Sequence, residues 1–193
     1  MQSNQIIWQP PANGVEKTEL AKFINFVNKK EALKLEINYS EIWNWSVNNS
    51  TRFWDLVWDF TNIIGEKGSR VIEGENNFPG AEFFPDGKIN YAENILRNPS
   101  DQIAIEEFRE TGTQKKLSRK ELKEKALRMA GWLRSKGVKR GDRVCAYMPN
   151  CSETIITMLA TTSLGGIFSS CSSDFGVGGV IDRFEQIEPK ILV

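Results

Sequence analysis

The segment Ser169-Ser170-Cys171-Ser172-Ser173-Asp174 places four hydroxyls, a thiol and a carboxylate in six consecutive positions. It follows the apolar pair Ile167-Phe168 and precedes the glycine-rich run Gly176-Val177-Gly178-Gly179. If a strand ends and a helix begins there, the hydroxyls, the backbone N–H groups and the helix N-terminus could hold a phosphate or another polar edge of a ligand. A plainer reading stands beside it: Ser172 to Asp174 carry the side chains that cap a helix. The glycine run matches neither G-x-G-x-x-G nor G-x-x-x-x-G-K-[ST], so it reads as a flexible entry to a helix. Cys171 lacks a base to activate it, because the chain contains no histidine. Asp182, Glu185 and Glu188 share one side of a helix with Arg183 and Lys190 nearby, the pattern of an exposed face rather than a metal site. Lys136, Lys139, Arg140 and Arg143 form a small basic turn. There Lys136 complements a helix C-terminus and the rest are expected in solvent.

The elements that must position these residues alternate. Arg143–Met148, Ile167–Cys171 and Lys190–Val193 read as strands, and Ser152–Leu164 and Val177–Glu188 as helices between them. This is the βαβ pattern of a parallel sheet, whose ligands bind beyond the carboxyl ends of the strands. On the last helix, Val177, Val180, Ile181, Phe184 and Ile187 recur at helical spacing. A hairpin precedes the sheet, with Ile103–Phe108 and Gln114–Leu117 flanking the turn Glu110-Thr111-Gly112-Thr113. Ser118-Arg119-Lys120-Glu121 is a capping box that opens a helix to about Lys136, with Leu122, Ala126, Met129, Ala130 and Leu133 inward and Gly137 as its stop.

The first half differs in character. After the turn-forming start Pro10, Pro11, Asn13 and Gly14, Lys17–Asn28 reads as a helix with Leu20, Phe23, Ile24 and Val27 on one face. Ser40–Val47 is a second helix. A third runs from Asn49 or Ser50 to about Ile63, with Gly65 beyond it. Its Phe53, Trp54, Val57, Trp58, Phe60 and Ile64 suit either docking onto a neighbouring domain or stacking on a ligand, docking being the plainer reading. A loop-rich stretch, 65–90, contains the turn Pro85-Asp86-Gly87, Ile89–Leu96 returns to order, and Pro99 marks a boundary. The fold class is therefore α/β: a helical, tryptophan-rich region over about residues 1–100, then the first βα units of a parallel sheet over about 101–193.

Composition narrows the function. The 25 basic and 25 acidic residues cancel, which argues against nucleic acid as a partner. The apolar stretch Ile155–Phe168 is too interrupted to span a membrane, and no signal peptide pattern opens the chain. A cytoplasmic protein with reduced thiols is expected from Cys145, Cys151 and Cys171, which form no C-x-x-C pair. Without histidine, Ser-His-Asp and Cys-His catalysis and His-containing zinc sites are excluded.

Several stretches carry a resemblance. Leu117–Leu122 (LSRKEL), Gly137–Val144 (GVKRGDRV), Met148-Pro149-Asn150 and Leu164-Gly165-Gly166-Ile167 resemble the opening of the large domain of adenylate-forming acyl-CoA synthetases. Trp43–Phe60 (WNWSVNNSTRFWDLVWDF), Phe84–Leu96 (FPDGKINYAENIL) and Asp174–Lys190 (DFGVGGVIDRFEQIEPK) are similar to the branch of that family that activates acetoacetate. The resemblance runs from about Trp8 to the last residue. It implies that acetoacetate, ATP with magnesium, and coenzyme A are converted through an acyl-adenylate to a thioester, AMP and diphosphate. By residue matching, Ser172, Ser173 and Asp174 coincide with part of the wall that binds the coenzyme A nucleotide, although relatives often carry Phe-Gly-Gly there. The phosphate loop with its lysine, the adenine-stacking aromatic, the ribose-binding aspartate and the catalytic lysine have no counterpart in these 193 residues. No catalytic residue is assigned. The chain is expected to be the front part of a larger enzyme, inactive alone and binding no cofactor tightly. The alternative is a non-catalytic binding module of the same descent.

Overall fold

The computed structural model describes residues 11–112 and 114–193. Trp8 and Pro10 lie outside the described residues, as does Thr113 in the hairpin turn. The chain forms two compact units that divide between Lys88 and Ile89.

The first unit contains the short α1 (Ala12–Val15), then α2 (Glu19–Glu31), α3 (Tyr39–Asn48) and α4 (Ser50–Phe60). Two-residue strands follow: β1 (Gly65–Glu66), β2 (Ile72–Glu73) and β3 (Glu82–Phe83), with β4 (Lys88–Ile89) at the division. Side chains start two of the helices. The Thr18 hydroxyl accepts the Ala21 N–H and the Asn38 side chain accepts the Glu41 N–H. The core joins Phe23, Ile24 and Val27 of α2 to Ile42 of α3 and Leu56 of α4. Phe23 meets Phe53 edge-on at 5.7 Å and Phe60 at 5.2 Å, a geometry that adds about 0.5–1.5 kcal/mol per pair beyond area burial. Phe53 and Phe60 of α4 thus pack on α2, and Trp54 and Trp58 meet Phe83 and Phe84, all within their own unit, where the sequence pointed to a neighbouring domain. Leu20, expected on the buried face, is exposed, and Ala21 is buried instead. Periodicity gives the apolar side of a helix, and the neighbours in space decide which positions on or beside it are covered.

The second unit starts with α5 (Tyr91–Ile95). Next come the antiparallel pair β5 (Ile103–Phe108) and β6 (Gln114–Ser118), then α6 (Arg119–Ser135), β7 (Arg143–Tyr147), α7 (Ser152–Ser163), β8 (Ile167–Cys171), α8 (Val177–Glu185) and β9 (Ile191–Leu192). The capping box is formed: the Ser118 hydroxyl accepts the Glu121 N–H and the Glu121 carboxylate accepts the Ser118 N–H. Gly137 ends the α6 segment at φ +78°, a conformation glycine adopts freely.

Three strands form a parallel sheet in the order β8-β7-β9. Side chains alternate across it, so Val144 and Cys145 face opposite layers. Val144 packs with Leu133 of α6 and Ala160 of α7, whereas Cys145 packs with Cys171 and with Phe184 of α8. Helices therefore cover both faces, as a parallel sheet requires. A further core joins Ala92 and Leu96, in and just after α5, to Leu117, Leu122, Ala126, Ile156 and Leu159, which ties residues 89–96 to this unit. On α8 only part of the expected apolar stripe is covered: Phe184 is buried, but Val177 and Ile181 stay exposed. No helix among the described residues is long and apolar enough to cross a membrane.

Candidate functional site

The hydroxyl-rich segment divides as its chemistry requires. Ser169, Ser170 and Cys171 are in β8, paired with Cys145, Ala146 and Tyr147 of β7. Ser172, Ser173 and Asp174 form the loop beyond the carboxyl end of that strand, and all three are exposed. The Ser172 hydroxyl donates to the Asp174 carboxylate (2.9 Å) and accepts the Asp174 N–H (3.3 Å). The capping reading of these residues does not hold. Gly176 is the N-cap of α8 and no side chain caps that helix. The two intervening residues put the serine and aspartate oxygens outside reach of the first turn, where they bond each other.

Two contacts set the course of the loop. The Tyr147 hydroxyl, from the end of β7, lies 3.0 Å from the Ser173 carbonyl and 2.7 Å from the Phe175 carbonyl. The Arg183 guanidinium stacks 4.0 Å from the Phe175 ring centroid and donates to the Gly179 carbonyl. Asp174 gives the loop a negative charge, so it suits a hydrogen-bond-donating edge, such as a hydroxyl or an exocyclic amine, better than a phosphate.

The neighbouring helix start, after β7, is already satisfied. Cys151 is the N-cap of α7 and its side chain caps nothing. The buried Glu107 of β5 accepts the Ser152 N–H at 2.9 Å and pairs with Arg109. These bonds, the Ser152 N–H first, hold the Glu107 carboxyl below the ordinary glutamate range. Sequence reasoning missed this residue because its partner is 45 positions away. The only local signal was an N-cap position without a capping side chain.

The basic turn behaves differently from expectation at one position. Arg143 is not solvated: its guanidinium donates to the Ile187 carbonyl (2.6 Å) and the Glu188 carbonyl (3.0 Å), satisfying the end of the α8 segment. Lys190 donates to the Gly137 carbonyl and pairs with Asp142 at 2.9 Å. Asp182, Glu185 and Glu188 are exposed. Among the described residues, no three acidic, cysteine or histidine side chains gather as a metal site. The three cysteines are free and buried, and burial pushes the Cys145 thiol up.

Known proteins extend this description. A family model for AMP-binding enzymes matches residues 91–193, and one for the acetyl-coenzyme A synthetase N-terminus matches residues 39–95. The chain is 38% identical to the acetoacetyl-coenzyme A synthetase of Rhizobium meliloti over 193 residues, covering 100% of this chain and 30% of that protein. It is also 38% identical to the acetoacetyl-CoA synthetase of Xenopus tropicalis, covering 98% of this chain and 28% of that one. The solved acetoacetyl-CoA synthetase from Streptomyces lividans superposes with a TM-score of 0.90 at 33% identity, over 97% of this chain and 30% of that structure. A Brucella canis acyl-CoA synthetase shares the fold over 54% of this chain, with a TM-score of 0.51 at 22% identity. The chain thus spans under a third of the length of the curated relatives it matches. With one family model covering the sheet unit and more than half of all residues, the chain belongs to the family of AMP-binding enzymes.

Proposed function

We propose that the chain is the N-terminal part of an ATP-dependent acetoacetate–CoA ligase. The complete protein would convert acetoacetate, ATP and coenzyme A to acetoacetyl-CoA, AMP and diphosphate. The observation that carries this reading is the match to acetoacetyl-CoA synthetases along almost the whole chain, in sequence and in backbone course. In this reading residues 1–100 are the helical N-terminal region and 101–193 begin the adenylate-forming domain. The change of family model between residues 91 and 95 and the division of the compact units after Lys88 support a boundary in this part of the chain. The protein works in the cytoplasm on small molecules, without nucleic acid or membrane.

Ser172, Ser173 and Asp174 line the coenzyme A side. Their support is their place beyond the carboxyl end of a parallel strand and an exposed set of hydroxyl and carboxylate acceptors that fits the donor groups of a nucleotide. Magnesium would accompany the ATP phosphates, whose binding elements are outside this set of residues. Among the described residues no group is assigned to stabilise phosphoryl charge, and the 193-residue chain alone is expected to contribute scaffold rather than chemistry.

The test is thioester formation by the complete protein with competing acids. Acetoacetate should exceed acetate in kcat/KM by at least about tenfold, which needs only about 1.4 kcal/mol of differential transition-state binding. A pocket that bonds the 3-keto oxygen can supply more, because acetate leaves its buried donor unpaired. Equal turnover of acetate, propionate or butyrate would remove the acetoacetate assignment. Separately, ATP–pyrophosphate exchange by the 193-residue chain should be at background.

A further inference from the structure

We propose that Tyr147 is a positioning residue that sets the loop Ser172–Gly176 for coenzyme A, an inference that rests on the assignment of Ser172, Ser173 and Asp174 to the coenzyme A side. The loop needs outside support. Residues 172–176 are all exposed. Their own hydrogen bonds stay local: Ser172 with Asp174, and the Phe175 N–H to the Ser172 carbonyl. The helix that follows is uncapped by any side chain and opens with Gly178 and Gly179, which constrain the backbone little. Arg183 holds only the Phe175 ring, from two turns further along the same segment.

Tyr147 holds the loop from the sheet. Its register partner is Cys171, the last residue of β8, so its ring stands beside the point where the loop departs. A phenol carries one proton and cannot donate fully to two acceptors. With the Phe175 carbonyl at 2.7 Å and the Ser173 carbonyl at 3.0 Å, the hydroxyl forms a three-centre bond that gathers both carbonyls to one point. Those carbonyls bracket Asp174. Fixing them pins the 173–174 and 175–176 peptide units, and so restrains the backbone that carries the exposed Ser173 and Asp174 side chains. Tyr147 itself touches no reacting atom in this arrangement.

The test uses the complete protein with Tyr147→Phe, which keeps the ring and removes only the hydroxyl, beside Ser173→Trp. Tyr147→Phe should raise KM for coenzyme A about fivefold, the equivalent of about 1 kcal/mol. ATP–pyrophosphate exchange should stay within about twofold of the parent protein. Amide hydrogen exchange at residues 172–176 should quicken at least about fivefold, a readout independent of activity. Unchanged loop exchange overturns the proposal, as does an equal fall in pyrophosphate exchange and thioester formation, which marks a general structural role. If Ser173→Trp raises KM for coenzyme A and Tyr147→Phe does not, the positioning role is wrong and the site assignment stands. If Ser173→Trp leaves that KM unchanged, the site assignment itself is wrong and the inference falls with it.

Discussion

Two glycines in the second unit should respond to the same substitution with opposite sign. Gly166 lies in the turn from α7 to β8, at an ordinary backbone conformation, so space alone demands glycine there. A Cβ would stand 2.9 Å from Thr161 Cγ2, 3.1 Å from the Thr161 carbonyl oxygen and 3.2 Å from the Asp142 carbonyl oxygen. None of the three can yield easily. Thr161 is fully buried and its hydroxyl donates to the Thr157 carbonyl at 2.8 Å. The Thr161 carbonyl accepts the Gly166 N–H, and the Asp142 carbonyl accepts the Ile167 N–H. Gly166→Ala therefore overpacks a rigid corner, at a cost of about 1–3 kcal/mol. Gly131 sits inside α6 on an exposed face, and a Cβ there meets nothing within 4 Å. Gly131→Ala removes backbone freedom from the unfolded chain and should stabilise by about 0.5–1 kcal/mol. Both residues belong to one compact unit, so the transition that reports that unit senses both. For a chain of this size about 1 kcal/mol moves Tm by about 2–4 °C. Thermal unfolding followed by circular dichroism should show Gly131→Ala above the parent and Gly166→Ala below it. A Gly166→Ala protein melting at or above the parent would refute the packing argument. A fall for Gly131→Ala would refute the assignment of an open helix face.

Arg143→Met should free the Ile187 and Glu188 carbonyls and destabilise the second unit by about 1–3 kcal/mol in urea unfolding; Arg143→Lys should recover only part, because a single ammonium does not reproduce the fork. Glu107→Gln should be less stable than the parent at neutral pH. The folded carboxyl titrates below its unfolded value, so its contribution is present above about pH 4.5 and is lost as pH falls through the depressed folded pKa. Parent and variant stabilities should therefore converge in acid, and a gap that persisted there would count against a charge effect. Cys145, Cys151 and Cys171 should react slowly with an aromatic disulfide reagent in the native protein and fast in urea; rapid native labelling of Cys145 would contradict its burial beneath α8.

How much was legible in the sequence depended on how far each signal reaches along the chain. Local features were readable where they stood. The capping box at Ser118 and Glu121, the glycine stop at Gly137, the hairpin strands and the alternation of strands and helices from Arg143 onward need only neighbouring residues to be recognised. The absence of histidine excluded Ser-His-Asp and Cys-His catalysis within these 193 residues without any structure. The resemblance of Trp43–Phe60, Phe84–Leu96 and Asp174–Lys190 pointed to the family from the sequence alone. Tertiary structure alone decided which partners meet. Glu107 caps a helix 45 residues away, Arg143 closes another 44 residues on, and Tyr147 holds a loop 26 residues on. No periodicity encodes such pairings, because they arise only when folding brings strand residues of the hairpin and of both ends of β7 beside distant helix ends and loops. The same reason explains Leu20, Val177 and Ile181: a repeat tells which side of a helix is apolar, and only the neighbours in space decide whether that side is covered.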